Sequence, residues 1–278
     1  MQVIKTILRL FVFFLRLRRY LPEGTLRIYI SLSFLPVFSY SQSTLLPQGN
    51  KFQPLLDRME IKRQSDVLLN TSSVAKPYNR RIITTTGDSI LSSQVSPEGD
   101  PVGAQIQYTP VDIYNIERLL MNNQEWVAGD KSRYASKRPW GKAFYQTPSD
   151  FIQVNVKDFF LVVNPVVNMQ LSKEQDNGEN IFLNSKGLTG RGLIAGKVGF
   201  DFYVADNQER TPLFVKARVN EHRAVPGAGF YKSFKTTAYD YFDARGSVYF
   251  TASKYINLQF GYDKNFIGNG YRSLFLSD

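Results

Sequence analysis

The chain contains no cysteine among its 278 residues, and its only histidine is His222. Without cysteine it can form no disulfide framework, no thiolate metal site and no lipid anchor on an N-terminal cysteine. A single histidine also argues against a transition-metal centre, because such centres draw on imidazole and thiolate ligands. Tryptophan occurs only twice, whereas phenylalanine (21) and tyrosine (16) are frequent. Because these two residue types favour strands, the composition predicts a β-rich fold that stands without such cross-links.

The sequence signatures of common enzyme sites are missing as well. There is no P-loop, no dinucleotide-binding fingerprint and no serine in a G-x-S-x-G context. Glu221-His222 lacks the second histidine of a zinc helix. A glycosidase needs two carboxylates facing one cleft, but Asp240 and Asp243 lie three apart and so on opposite faces of a strand. We therefore expect no enzyme activity and no cofactor, and a hydrolase is the least favoured hypothesis.

Positive charge is concentrated at the N-terminus. The net charge is +10, and residues 1–41 hold six basic residues against one acid. An apolar run over 28–38 follows Arg27 and precedes the small residues expected at a signal cleavage site. We predict a signal peptide over 1–41 with cleavage before Gln42, and an N-terminal membrane anchor is the alternative. Half of the net charge then belongs to an export signal, so we expect no nucleic-acid partner.

Residues 42–150 are predicted to form a helical and loop region, either plug-like or a set of periplasmic extensions. Apolar residues recur at helical spacing within 52–61 and 111–126, which predicts a helix in each. The segment 72–103 is rich in Ser, Thr, Pro and Gly, which predicts a loop with one short strand. Core packing is expected for the aromatic residues Trp126, Tyr134, Trp140 and Tyr145.

From Phe151 onward the apolar residues alternate with polar ones, which is typical of strands with one apolar and one polar face. The clearest segments are 152–156, 198–204, 248–252 and 256–262. Turns are predicted from Gly, Pro, Asn and Asp at 176–178, 187–196, 226–229 and 269–270.

Two architectures fit these strands. A soluble β-sandwich would bury the apolar faces, whereas a transmembrane barrel would turn them toward lipid. Export, strand length and aromatic content favour the barrel. Only six to eight strands fit between Phe151 and Asp278, and the last apolar run stops soon after it starts. We therefore expect the N-terminal portion of an antiparallel transmembrane β-barrel, truncated over 151–278, with short helices before it.

The closing segment, Gly261 to Asp278, is dense in polar residues beside glycines. One hypothesis is that these polar residues bind a glycan or line a lumen, with arginine as a donor fork and tyrosine as a stacking ring. The structural alternative, more common for such turns, is that Asp263 or Asp278 pairs with Arg272 while the glycines shape the backbone. The candidate residues are Asp263, Lys264, Asn265, Asn269, Tyr271 and Arg272.

The same segment, G-Y-D-K-N-F-I-G-N-G-Y-R-S-L-F-L-S-D, resembles the signature turn of the capsule-assembly outer-membrane β-barrel family (Wzi-like), in its RemB-like gliding-motility branch. K-D-F-F-L-V-V-N-P-V-V-N-M-Q at 157–170 and L-L-D-R-M-E-I at 55–61 agree with it. The resemblance implies an outer-membrane barrel that acts in the assembly or attachment of surface polysaccharide, and in that branch in gliding motility at the cell surface. It implies outer-membrane lipid, surface polysaccharide and other envelope proteins as partners. A secreted β-sandwich that binds carbohydrate is the alternative function.

Overall fold

The structure is a computed structural model that describes residues 43–63, 75–95, 106–128, 130–141, 143–175, 177–253, 256–268, 270 and 272–274. The predicted signal peptide with its cleavage before Gln42 lies outside these residues, as do Asn269 and Tyr271. The described helices are α1 (Gln53–Arg63), α2 (Arg80–Val95), α3 (Pro110–Met121) and α4 (Leu213–His222), with short 3-10 helices at Gln124–Trp126 and Ser132–Tyr134.

Ten strands occur in the described residues. They are β1 (Ala75–Lys76), β2 (Phe144–Thr147), β3 (Asp150–Val156), β4 (Phe159–Ser172), β5 (Ile181–Ile194), β6 (Val198–Arg210), β7 (Lys232–Phe234), β8 (Ala238–Ser253), β9 (Ile256–Tyr262) and β10 (Phe266–Ile267). β1 pairs with β10, and the others form one antiparallel sheet in the order β2-β3-β4-β5-β6-β8, with β7 and β9 both beyond β8. No pairing among the described residues joins β2 to β9, so this sheet is open. The prediction of a mainly antiparallel β fold is confirmed.

The first three helices pack together with the segments between them, and we call the described residues from 43 to 134 the helical layer. The predicted helices over 52–61 and 111–126 are confirmed as α1 and α3, although α3 ends at Met121. Core packing is confirmed for Trp126 and Tyr134 but is wrong for Trp140, which is 71% exposed, and for Tyr145. The fully buried core residues of the layer are Leu46, Leu56, Met59, Ile83, Ile90, Ile116, Leu119 and Leu120.

The short strand predicted within 72–103 is confirmed as β1, but the prediction of a loop for the rest is wrong, because α2 occupies much of that segment. Ile83 and Ile90 are seven residues apart, two turns of a helix, and both are buried against the other helices. The hydroxyls that argued for a loop bond within the helix instead, as when Thr84 Oγ1 donates to the carbonyl of Arg80 at 2.7 Å. Tertiary packing of one apolar stripe therefore overrides the weak helix propensity of Ser, Thr and Gly.

Asp112, the third residue of α3, anchors that helix to α1. Its carboxylate accepts hydrogen bonds from Arg58 Nε at 2.7 Å and Lys62 Nζ at 2.6 Å. It also accepts from the backbone N–H of Thr109, whose hydroxyl accepts from the N–H of Asp112, forming a capping box. Burial alone would raise the pKa of Asp112, but these hydrogen bonds outweigh it and hold the pKa well below the ordinary 3.8.

Replacing Asp112 by alanine is expected to cost about 1–3 kcal/mol of stability, because a helix cap and a buried acceptor are lost together. Since the folded-state pKa lies below the unfolded one, this contribution is fully present above pH 3.8 and is lost as the pH falls toward the folded-state pKa. Urea unfolding of the wild type and Asp112→Ala as a function of pH measures both effects. Asp130→Ala is the control, since Asp130 also accepts from a neighbour, Ser132, but is exposed. Equal losses in the two variants would contradict this account.

The prediction of a turn over 187–196 is also wrong, because β5 runs through this segment and the turn follows only at its end. The glycines there make room for aromatic rings on the neighbouring strand. A Cβ on Gly190 would lie 2.5 Å from the ring of Phe202, and one on Gly192 would lie 2.4 Å from the ring of Phe200. Glycine in this strand is therefore a packing feature rather than a turn signal.

The two faces of the sheet differ in what covers them. Trp126, in the helical layer, packs against Phe160, Val162 and Leu193, so the layer lies on the face of the sheet that carries these residues. We call this the inner face and the opposite one the outer face. On β6 the inner face carries Gly199, Asp201, Tyr203, Ala205 and Asn207, and the outer face carries Val198, Phe200, Phe202 and Val204. The alternation predicted for this segment is confirmed.

Candidate functional site

A polar cavity of about 290 Å³ lies between the helical layer and the inner face of the sheet. Residues 45–50, which lead into α1, form one side of it, and β4, β5, β6 and β8 contribute to the other. The fold thus gathers side chains that are far apart in the sequence. The charged residues that line the cavity are Arg80, Arg191, Asp201, Arg245 and Asp263.

Arg191, on the inner face of β5, joins the sheet to the helical layer. Its Nε donates to Glu125 Oε1 at 3.0 Å, and its Nη2 donates to the carbonyl oxygen of Asn122 at 2.7 Å. A second carboxylate, Asp150, has its Oδ1 3.9 Å from Nη2. The side chains of Arg191 and Glu125 are only 10% and 7% exposed. Because charges buried this deeply are tolerated only when paired, the fold depends on this contact.

Arg80, at the start of α2, holds the cavity from the other side. Its Nη1 donates to Asn123 Oδ1 at 2.6 Å, and its Nε donates to the carbonyl oxygen of Leu45 at 3.1 Å. Asn123 in turn donates through Nδ2 to the carbonyl oxygen of Leu119 at 2.7 Å. One buried guanidinium therefore ties together the leading segment, α2 and the end of α3.

The electrostatics of the helical layer keep these groups ionised at neutral pH. Burial works against ionisation of Glu125, but the charge and hydrogen bonds of Arg191 outweigh it, so the pKa of Glu125 lies below its ordinary value. Burial, helped by the positive charge of Arg191, lowers the pKa of Arg80 to about 9. Both side chains therefore carry charge across the physiological range.

The sheet side of the cavity is fixed by side chains from β6 and β8. Tyr249 donates its hydroxyl to the carboxylate of Asp201. Arg245 donates to both oxygens of Asp243, at 3.0 and 2.9 Å, and its guanidinium lies 4.5 Å from the ring centre of Tyr203. These contacts hold the polar groups of the wall in place before any ligand binds.

Among the residues predicted from the sequence, Asp263 lines this cavity, and with Lys264 it lines a neighbouring one of about 380 Å³ beside Arg245. Asn265 is exposed and donates to the carbonyl oxygen of Asp263 at 3.2 Å. Arg272 is exposed, and in the described part of the chain no ion pair joins it to Asp263. Of the four predicted residues that the structure describes, Asp263 and Lys264 therefore reach a cavity.

The structure also shows where the chain goes after β9. Phe266 and Ile267 form β10, which pairs with β1 in the helical layer at Lys76 and Ala75. The segment that contains Asp263 thus leads from the sheet back to the helical layer, a pairing that no local sequence pattern predicts.

Three buried charged residues of the site, Arg80, Glu125 and Arg191, are not predicted from the sequence. The first two resemble ordinary surface charges of helices, and nothing in their spacing indicates burial. The glycines beside Arg191 predict a turn at this position. The sequence feature that could have identified Arg191 is the period of two along β5. This period places its side chain on the same face as Thr189 and Leu193, which is the inner face.

In the described ranges no group of three or more His, Asp or Glu side chains is placed to hold a metal ion. No helix in those ranges combines the length and the apolar character needed to cross a membrane. No protein-family model matches the chain, and comparison with curated proteins and with solved structures finds no significant match.

The polar groups that line the cavity are arranged in hydrogen bonds and ion pairs. Its volume is near the lower end of the range of about 300–1,000 Å³ for ligand pockets. Arg191 and Glu125 are paired with each other, and Asp201 accepts from Tyr249. The neutral polar groups of the wall are engaged as well, since Asn164 accepts from the backbone N–H of Phe151 at 2.6 Å and Thr189 donates to the carbonyl oxygen of Phe202 at 3.1 Å.

Proposed function

We propose that this chain forms part of the wall of an outer-membrane β-barrel, with the outer face toward lipid and the helical layer against the inner face. In this role it takes part in the assembly or attachment of surface polysaccharide and in gliding motility. The observation that carries the proposal is the polarity of the sheet: its apolar face is the exposed one and its polar face is the covered one.

The apolar outer face is continuous across the sheet. Strand register aligns Leu161, Gly192, Phe200, Val248 and Phe260 in one row, and similar rows lie above and below. The rows from Val198 to Val204 span about 20 Å along the strand, which is about 15 Å of membrane depth at the strand tilt of about 35–45° in outer-membrane barrels. On β4 the apolar side chains of this face continue from Phe159 to Leu171. Charged residues follow on β5 and β6, where Lys186 pairs with Asp206. The most exposed apolar side chains of this face are Val156, Val167, Met169, Leu171, Phe242, Phe260 and Tyr262.

The apolar outer face extends across six strands, so we expect another apolar phase or molecule to cover it. Monomeric soluble proteins rarely expose contiguous apolar patches larger than a few hundred Å². In the rows between Val198 and Val204 the face carries aliphatic and aromatic side chains and small residues across six strands, which is what acyl chains accept. Lipid is therefore the occupant we assign to it.

The alternative of a soluble carbohydrate-binding β-sandwich requires the opposite polarity. A sandwich buries the apolar faces of its sheets against each other. Here the helical layer covers the inner face at Arg191, Phe160 and Leu193. The outer face of the same region stays uncovered, with Leu188 49% and Ile194 48% exposed. The arrangement therefore favours a barrel wall over a sandwich.

The polysaccharide part of the proposal rests on the family resemblance of the closing segment, supported by the position of Asp263 at two polar cavities. Asn, Arg and Tyr side chains around these cavities are the groups that recognise sugars in proteins.

The experiment that tests the proposal is fractionation of cells that express the full chain. We expect the protein in the outer-membrane fraction, extracted by detergent, and migrating differently on a gel before and after heating. Recovery in the soluble periplasm without detergent would contradict the proposal and favour the sandwich.

A further inference from the structure

We propose that the solvent-facing side of α3 and the two grooves beside it bind an acidic polysaccharide chain. We call this surface the α3 groove. The inference deepens the proposed function by naming the chemical class of the glycan. It rests on that proposal for one premise, that the bound polymer is a polysaccharide.

The two grooves form one extended surface. The first, of about 1070 Å³, lies between α1 and α3, and the second, of about 770 Å³, lies between α3 and residues 133–138. Both are lined by Tyr114, Arg118, Met121 and Pro148. The shared residues make the second groove a continuation of the first, which suits a polymer better than a single small ligand.

The charge of the α3 groove is strongly positive. Its acidic lining residues are Glu117 and Asp112, and Asp112 is already neutralised by Arg58 and Lys62. Arg133 lies 3.8 Å from Asp88. Within the described residues no ion pair occupies the other cations of the groove, which are Lys51, Arg118, Lys137 and Arg138.

Arg118 and Tyr114 form the centre of the surface. The guanidinium of Arg118 lies 5.0 Å from the ring centre of Tyr114, and its Nε donates to the tyrosine hydroxyl at 3.0 Å. This contact holds the arginine in place and leaves its terminal nitrogens for a ligand. Tyr114 is 52% exposed, so its ring is accessible to a sugar. A fixed arginine can bind a carboxylate through two parallel hydrogen bonds, and an aromatic ring can stack on a sugar face.

The floor of the groove distinguishes a polysaccharide from other anions. Phe52, Pro54, Leu55 and Val111 line the first groove beside the cations. Uronic acid polymers combine carboxylates with the apolar faces of sugar rings, so they match both features. Nucleic acid and anionic lipid headgroups match the charge, and they are outcomes that the experiment separates.

The test titrates the full chain in detergent micelles with polygalacturonate and with neutral dextran. We expect polygalacturonate to bind with an affinity that falls as salt rises and dextran not to bind. The double variant Arg118→Gln/Arg138→Gln should weaken binding at least tenfold with an unchanged unfolding midpoint. The control is Arg218→Gln, which removes an exposed arginine from α4, outside the α3 groove.

Several outcomes would overturn the inference. These are equal binding of both polymers, an unaltered affinity in the double variant, or the same loss in Arg218→Gln. Tighter binding of single-stranded DNA, or of vesicles containing phosphatidylglycerol, would assign the groove to nucleic acid or to a membrane surface. The fractionation experiment involves no glycan. A failure to bind polygalacturonate can therefore be distinguished from a failure of the outer-membrane proposal.

Discussion

Replacement of Arg191 by leucine is expected to cost about 3–5 kcal/mol of folding stability, because it leaves the buried carboxylate of Glu125 without its partner. The loss should appear where the helical layer meets the sheet. Trp126 packs at that contact, whereas Trp140 is 71% exposed, so the change in tryptophan fluorescence during urea unfolding reports mainly on Trp126.

The matched control for this prediction is Arg245→Leu. Arg245 also lies on the inner face, but it pairs with Asp243 on its own strand and is partly exposed, so we expect a loss of about 1 kcal/mol or less. If Arg191→Leu does not fold, the double variant Glu125→Leu/Arg191→Leu decides, because it removes both charges and should recover much of the stability. Equal losses in Arg191→Leu and Arg245→Leu, or no recovery in the double variant, would contradict the account.

Replacement of Phe260 by arginine is expected to destabilise the protein in phospholipid bilayers by about 2–4 kcal/mol, the cost of a charge near the middle of a lipid-facing band. Phe260 is 82% exposed and stands in a row that crosses the outer face. If water covers this face instead, we expect a change in stability of no more than about 0.5 kcal/mol, as for an arginine at an exposed position of a soluble protein. Urea unfolding of the chain folded into vesicles measures the difference.

Gln259→Arg is the control for Phe260→Arg. The two residues are adjacent on β9 and both are exposed, but their side chains lie on opposite faces. Gln259 donates to Ser247 Oγ at 3.4 Å, and arginine can also donate there. We expect little change from Gln259→Arg, and similar effects of the two variants would argue against a lipid-facing outer face.

The strands could be predicted because their signal is local. On β6 each apolar side chain from Val198 to Val204 is followed by one that faces inward, and this period alone identifies the strand and its two faces. Which face the protein covers is not local information. It depends on contacts between distant parts of the chain, such as the ion pair between Glu125 and Arg191, which are 66 residues apart.

The incorrect loop prediction over 72–103 and the incorrect turn prediction over 187–196 have a common cause. Gly87 in α2 and Gly190 in β5 were both interpreted as loop or turn signals, yet each lies inside a regular element. A Cβ on Gly87 would lie 3.0 Å from Leu120 Cδ2, and one on Gly190 would lie 2.5 Å from the Phe202 ring. Glycine at a close approach looks the same in the sequence as glycine in a turn, because only the partner that approaches it distinguishes the two roles.

The candidate site was predictable only in part for the same reason. Asp263 stood out because it lies in a dense polar segment, and it does line the cavity. Arg80 and Arg191 are single charges among residues of other kinds, and they become notable only when the fold brings them to one interface. Burial and pairing, rather than residue type, make them important.

The central claim is that the outer face of the sheet meets lipid, and site-directed spin labelling tests it most directly. Because the chain has no cysteine of its own, Leu258→Cys, Gln259→Cys and Phe260→Cys each offer one labelling site. In vesicles, labels at 258 and 260 should collide more with oxygen, which concentrates in lipid, than with a water-soluble nickel complex, and the label at 259 should show the reverse. Equal accessibility to the two quenchers at all three positions, or a preference for the nickel complex at 258 and 260, would contradict the claim.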